Sequence, residues 1–321
     1  SWRVGLVDHP RSGELQRAAI PRAGGHAIYL PFVVAVVVSL LVAPRDPGEL
    51  QRVLGLLIGV AILIPFAVWD DFKRLGPLPQ LLAQILVALV PVFFGITINS
   101  ISNPFAPPPF GGVVLLPEWI AIPATVAWLV LMMNSMNWLD TMDGLAGGVG
   151  AIAAVILFLV CYSLGQSTIA LLPLALAGAC LGFMPYNFNP ARVFMGTTGS
   201  MFIGYALGVV ALIGGAKIAS TMLVLGVPVM DALFVIIQRA LAGRHPWRGG
   251  DNAHLVHGLL GAGMTQRRVA LLVYAICGLF GWLATSLIRT EKFYAFGALG
   301  IVLLVLVTYV RSRARAARAS A

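Results

Sequence analysis

Apolar residues run along this chain in long unbroken stretches separated by short polar ones. Ten stretches are long enough to cross about 30 Å of hydrocarbon as a helix, which takes roughly 17 to 25 residues. They lie at about 26–43, 51–69, 79–98, 119–137, 145–164, 168–185, 200–216, 219–237, 269–288 and 294–310. A membrane β-barrel is excluded, because its strands alternate polar and apolar positions over only about 10 residues. The pattern predicts an all-α fold, a polytopic transmembrane helical bundle of about ten spans that forms one integral membrane domain over 1–321.

Composition agrees with the pattern. The 321 residues are 59% hydrophobic and only 10% charged, where a soluble domain carries about a quarter charged residues. Mean hydropathy is +0.92. The first 25 residues are polar and basic, the reverse of the apolar core of a signal peptide. Because the chain starts at Ser1, a further segment upstream is expected. Cys161, Cys180 and Cys277 all fall inside spans and read as small buried hydrophobes.

Charge supplies an orientation. Of the 21 Lys and Arg residues, 16 fall on one set of alternate flanks; only Arg45, Arg52, Lys217, Arg289 and Lys292 fall on the other. The positive-inside rule makes the first set cytoplasmic, in a bacterial inner membrane if the chain is bacterial. The net charge of +9 follows from this bias and does not point to nucleic acid. The basic tail at 311–321, RSRARAARASA, suits anionic membrane lipid headgroups. The loop at 99–118 belongs to the outer side; its prolines and aromatics suggest an interfacial segment without catalytic groups.

Nearly every unusual polar residue lies on the cytoplasmic side, in loops at about 1–25, 70–78, 134–144, 186–199 and 238–268. In WDDFKRLGPLPQ, Asp70 and Asp71 close a span. Adjacent carboxylates suit a cation site or a perturbed pKa. A solvated helix end is the plain alternative, although two acids at a helix C-terminus oppose its dipole. In NSMNWLDTMDGLAGG, Asn134, Asn137, Asp140 and Asp143 recur every three residues. They sweep half of a continuous helix, or converge if it breaks near Gly144. Carboxylates near membrane depth usually face a polar cavity or an ion, whereas Gly147, Gly148 and Gly150 read as packing positions.

The stretch PYNFNPARVFMGTTGS offers Asn187, Asn189 and Arg192 as donors to phosphate or sugar, and Phe194 as a stacking face. Its GTTGS run opens the next helix, where free N–H groups attract an anion and Ser or Thr is also an ordinary cap. In RHPWRGGDNAHLVHGLL, Asp251, His254 and His257 fall at helical spacing beside Arg244 and Arg248, a set suited to diphosphate or metal. Asp231, inside a span, reads as support for the site more than as a member of it. Carboxylates for Mg²⁺ or Mn²⁺, amides, an aromatic and cations on one face point to metal-dependent phosphoryl transfer onto a membrane lipid.

At these residues the chain resembles the polyprenyl-phosphate N-acetylhexosamine-1-phosphate transferases, glycosyltransferase family 4. That family includes undecaprenyl-phosphate N-acetylglucosamine-1-phosphate transferases and phospho-N-acetylmuramoyl-pentapeptide transferase. The resemblance runs from GLVDHPRSGELQRAAIPRAGG through DD, NSMNWLDTMDGLAGG, NFNPARVFMG and DNAHLVHGLLGAG. The N-acetylglucosamine branch is the more similar, through NFNPA and the spaced histidines. The resemblance implies transfer of N-acetylhexosamine 1-phosphate from a UDP-sugar to undecaprenyl phosphate with release of UMP. It implies Asp70, Asp71, Asp140 and Asp143 as catalytic acids, with Asp71 and Asp143 on Mg²⁺ or Mn²⁺. It implies that Asn187 and Phe194 lie near the nucleotide and that His254 and His257 belong to the family's histidine cluster; Asn134, Asn137, Asn189, Arg192 and Arg244 are further substrate-binding candidates by their own chemistry. It also implies an eleventh span upstream, and it is compatible with a homodimer.

Departures from the family pattern fall at charged positions. MGTTGS stands where the family reads MGDTGS, so Thr197 replaces an acid implicated in metal binding. Gln80 replaces a lysine, Val256 and Gly258 replace His and Arg, and Thr141 replaces Gly. Three readings stay open: an active transferase, a catalytically weakened homologue that still binds lipid phosphate or nucleotide sugar, and a secondary transporter. The transporter fits least, since the acids sit at one face and no inverted repeat is visible. The envelope glycan served, peptidoglycan, teichoic acid, O-antigen or another, stays open too.

Overall fold

The computed structural model describes residues 6–8, 19–103, 112–215, 218–241, 243 and 255–319. The chain is a multi-pass helical membrane protein, and a helix coincides with each predicted apolar stretch. These are α1 (His26–Val42), α2 (Pro47–Lys73), α3 (Pro77–Phe93), α4 (Glu118–Leu139), α5 (Leu145–Ser163), α6 (Ser167–Asn187), α7 (Gly196–Ile213), α8 (Ile218–Val224), α9 (Gly226–Leu241), α10 (Leu255–Gly261), α11 (Gln266–Ser286) and α12 (Arg289–Ala319). Two short antiparallel pairings complete the elements, β1 (Val7–Asp8) with β2 (Ile20–Pro21) and β3 (Ser100–Ser102) with β4 (Val113–Leu115).

The count of ten full spans is not reproduced among the described residues. Seven helices are long and apolar enough to cross, or eight if α8 and α9 form one span bent by 87°. At the bend, Pro228 in the first turn of α9 has no N–H to continue the α8 ladder. Helices α1 and α3 are apolar but only 17 residues long, about 26 Å at 1.5 Å per residue. Pro44 follows the end of α1, and Pro91 lies in the last turn of α3.

Helix α7 is the axis of the bundle. Of its span 94% is buried, against 17% for that of α12, and it packs on α1, α2, α4, α5 and α6. Lipid tails are as apolar as leucine, so close backbone approach and polar contacts hold such helices together. A side chain at Gly204 would stand 2.4 Å from the Met132 carbonyl oxygen of α4, and one at Gly59 of α2 would collide with the Tyr205 hydroxyl. Trp128 Nε1 donates to the Gly208 carbonyl at 3.1 Å. The glycines of α5 serve the same end: Gly148 accommodates Tyr274 and Gly150 accommodates Ile203.

The two ends of the bundle differ. At one end Asp46 caps α2, accepting from Glu49 N at 2.8 Å, and Arg45 pairs with Glu49 at 3.2 Å. The β3–β4 hairpin lies at this end, with Ile101, Val113, Val114 and Leu115 exposed. The other end carries the C-terminus of α2, the α4–α5 turn and the N-terminus of α7; it is called the acidic face below.

Candidate active site

The start of α7 is the centre of the acidic face. Gly196 has φ +68°, a region glycine enters without strain, and a side chain there would stand 2.7 Å from Asp71 Oδ1. Asp71, from the last turn of α2, fills that space. Its Oδ1 accepts from Thr197 N at 2.8 Å, and its Oδ2 accepts from Thr198 N at 3.0 Å and Thr198 Oγ1 at 2.6 Å. Arg22 Nε lies 3.3 Å from Oδ1, and the Asp71 side chain is 3% exposed. The helix start does bind an anion, as the sequence predicts, but the anion is the protein's own carboxylate 126 residues away.

The segment before α1 is laced to the same loop. Phe194 N donates to Pro21 O at 2.8 Å, and Gly24 N and Gly25 N donate to Phe194 O and Met195 O, each at 2.9 Å. A side chain at Gly25 would meet Gly199 N at 2.5 Å, so the PRAGG run is what lets Arg22 reach the site.

The α4–α5 turn supplies the second acid pair. Helix α4 ends at Leu139, and Gly144 takes φ +75° before α5 starts. Of the two arrangements left open by the three-residue spacing, the broken helix is the one found. Asp143 Oδ2 accepts from Asn189 Nδ2 at 2.8 Å and Ala191 N at 3.0 Å. Asn187 is buried, accepting from Gly144 N at 3.2 Å and donating to Val193 O at 2.9 Å. Its amide braces the turn against the loop, with one N–H and one oxygen lone pair left over. Tyr274 of α11 donates to the Gly144 carbonyl, and Arg267 Nε donates to Asn189 O at 2.9 Å.

Asp70 sits deeper. Its Oδ1 accepts from Leu75 N at 2.9 Å and its Oδ2 from Gln80 Nε2 at 3.2 Å. A small groove lined by Phe66, Asp70, Gln80, Gln84 and Met201 opens beside it. The discomfort of two acids at a helix C-terminus is resolved by these partners, since both side chains turn away to meet N–H groups of other segments. Asn134 Nδ2 donates to Gln84 Oε1 at 2.7 Å and to Val130 O at 2.9 Å, an amide clasp between α3 and α4. Asn137 accepts from Ser200 Oγ at 3.0 Å.

The remaining sequence candidates divide. Arg192 is exposed and Phe194 partly so, both on the loop leading into α7. His257 lies on α10, whose first N–H, that of Leu255, is capped by Asp231 at 2.8 Å. Asp231 thus supports a neighbouring helix. Arg244, Asp251 and His254 lie outside the described residues. Sequence reasoning missed Arg22, Thr198 and Gln84 as site neighbours. The run PRAGG at the head of a span was the only available signal for Arg22.

Residues 53–215, which carry both aspartate pairs and the α7 loop, match the profile of "Glycosyl transferase family 4". The chain belongs to glycosyl transferase family 4. It is 33% identical to "Probable undecaprenyl-phosphate N-acetylglucosaminyl 1-phosphate transferase" of Bacillus subtilis (strain 168), over 87% of this chain and 76% of that protein. It is 30% identical to "Decaprenyl-phosphate N-acetylglucosaminephosphotransferase" of Mycolicibacterium smegmatis (strain ATCC 700084 / mc(2)155), over 95% and 81%. It is 31% identical to "Phospho-N-acetylmuramoyl-pentapeptide-transferase" of Desulforudis audaxviator (strain MP104C), over 83% and 86%.

In this member of family 4 the acids are unequally satisfied, which bears on the expected Mg²⁺. Burial pushes Asp140 up to about 7; Arg22 works against the shift, and Asp71 and Asp143 add to it. Its carboxyl accepts no hydrogen bond among the described residues, and both bonds to Asp143 end on Oδ2. Asp71, by contrast, has both oxygens engaged. No group of three His, Cys, Asp or Glu able to hold a metal is present among the described residues. Mg²⁺ commonly takes only one or two carboxylates and completes its shell with water and substrate phosphates. Asp140 with Asp143 Oδ1 fits that demand. Both oxygens of Asp71, the other expected ligand beside Asp143, already accept protein hydrogen bonds, and Thr197 turns its N–H to Asp71 in place of a carboxylate.

Proposed function

We propose that the chain transfers an N-acetylhexosamine 1-phosphate, N-acetylglucosamine 1-phosphate in the first instance, from its UDP-sugar to undecaprenyl phosphate or a similar polyprenyl phosphate. The observation that carries this is the gathering of Asp71, Asp140, Asp143 and Arg22 around the first turn of α7. The names of the relatives support the reaction class, and the first two favour N-acetylglucosamine. The acidic face is read as cytoplasmic, where UDP-sugars are made, and the product as feeding envelope glycan synthesis in a bacterial inner membrane.

An oxygen of the lipid phosphate attacks the sugar-bearing phosphorus of the UDP-sugar. A new P–O bond forms, and the bond to the bridging oxygen breaks, its electron pair leaving with UMP. Such a step needs positioning and charge neutralisation more than covalent participation. Asp140 and Asp143 would hold a divalent cation, which when bound supplies charge neutralisation at the diphosphate. Arg22 contributes a fixed positive charge beside them, and exposed Arg192 is placed to meet the nucleotide phosphates. Gln80 gives Asp70 a neutral donor beside the groove where the lipid phosphate is taken to enter.

A second reading, a weakened homologue that binds without turnover, is favoured by the engagement of Asp71 and by Thr197. The test is UMP release from UDP-N-acetylglucosamine with undecaprenyl phosphate and Mg²⁺ in detergent. UDP-N-acetylmuramoyl-pentapeptide runs in parallel, beside a Thr197→Asp variant. Turnover by the parent with the first donor supports the proposal. Turnover only after Thr197→Asp makes the weakened reading correct, and no turnover or nucleotide binding by either protein ends the substrate assignment.

A further inference from the structure

We propose that Asp71 is a positioning residue in this chain: it pins the start of α7 and Arg22 beside Asp140, and neither holds a cation nor touches a reacting phosphate. What is positioned rests on the transferase reading above. Four donors converge on its two oxygens, from Thr197 N, Thr198 N, Thr198 Oγ1 and Arg22 Nε. The helix terminus and the guanidinium already supply the positive charge that a cation would bring. A cation seated on Asp71 would strip buried donors of their acceptor, and such unsatisfied groups are costly.

The geometry also shows what Asp71 connects. Through Arg22 it reaches the segment before α1, whose Arg22 N donates to Leu6 O and whose Gly24 and Gly25 bind the loop before α7. Three distant segments, at residues 22–25, 71 and 194–199, therefore meet on one carboxylate. Among the described residues no hydrogen bond reaches the Asp140 carboxyl and Arg22 is the cation acting on it, so the junction sets the positive charge that Asp140 faces. Asp143 is held separately, by Asn189 and Ala191. Loss of Asp71 should therefore disturb turnover while leaving the cation ligands intact.

The experiment uses the full chain in detergent, with Asp71→Asn, Asp140→Asn, Thr198→Val and Thr198→Ser. Three quantities are measured: the unfolding midpoint without metal, Mn²⁺ affinity by electron paramagnetic resonance, and kcat and KM for UMP release. Asp71→Asn should lower the metal-free midpoint by roughly 3 to 8 °C and lower kcat, with Mn²⁺ affinity and KM for the UDP-sugar unchanged. Asp140→Asn should leave that midpoint no lower and weaken Mn²⁺ binding about tenfold or more. Thr198→Val should lower kcat and Thr198→Ser restore it. Where Asp71→Asn does not fold, Thr198→Val carries the comparison.

The proposal is overturned if Asp71→Asn, or Thr198→Val in its place, weakens Mn²⁺ binding as much as Asp140→Asn does while the metal-free midpoint stays at the parent value. A parent that neither binds Mn²⁺ nor releases UMP sinks the transferase reading alone. The anchor is then judged on the midpoints: a drop in Asp71→Asn upholds it, and no drop refutes it.

Discussion

Burial pushes Asp140 up to about 7, with Asp71 and Asp143 adding to the shift and no hydrogen-bond donor to its carboxyl among the described residues. A carboxyl raised above its ordinary value of 3.8 binds more protons folded than unfolded between the two values. Without metal, stability from this group therefore falls as pH rises from about 4 to about 7, and the cost is complete above 7. Asp140→Asn removes that cost. Its unfolding midpoint should exceed the parent's at pH 8 in chelator, and the gap should shrink toward zero as pH is lowered to 4. Thr197→Asp tests the same balance from the other side. A new carboxylate beside Asp71 should lower the metal-free midpoint, and millimolar Mg²⁺ should recover part of the loss, measured by the same melts.

The individual roles at this scale were only partly legible from sequence. The acids and amides of the site could be picked out, because polar residues beside long apolar runs are conspicuous. Their partners could not: Asp71 reaches α7 across 126 positions, and Arg22 looks like any other charge on a basic flank. From sequence Asn187 is a substrate donor, because an amide near a basic loop has that chemistry. Only the fold shows that the same amide also ties Gly144 N to Val193 O.

Among the elements, the start of α7 depends on the close approach of the PRAGG segment. Gly25→Val would place a branched side chain against Gly199 N and Met195 O. The backbone cannot yield there as a flexible side chain would, so a cost of about 1–3 kcal/mol or more is expected. Expression of folded protein and its unfolding midpoint should both fall, while Gly178→Ala, with open space around it, lacks any such clash. Helix positions were legible because long apolar runs have few alternatives in lipid. The 87° break between α8 and α9 was not, since Gly226 and Pro228 are tolerated within many membrane helices and only packing decides whether they bend.

For the whole molecule, the charge bias predicts which way the acidic face points. The three native cysteines are buried, so Arg192→Cys, at an exposed position, gives one reporter. A membrane-impermeant maleimide should label it in inside-out vesicles and not in intact cells; labelling in intact cells would reverse the orientation. The central claim is a chemical one. It is tested most directly by UMP release from UDP-N-acetylglucosamine with undecaprenyl phosphate and Mg²⁺, parent against Asp140→Asn. The parent should release UMP only when lipid phosphate and Mg²⁺ are both present, and the variant should be slower by about a hundredfold or more. A parent without lipid-dependent release, or a variant as fast as the parent, would contradict the account.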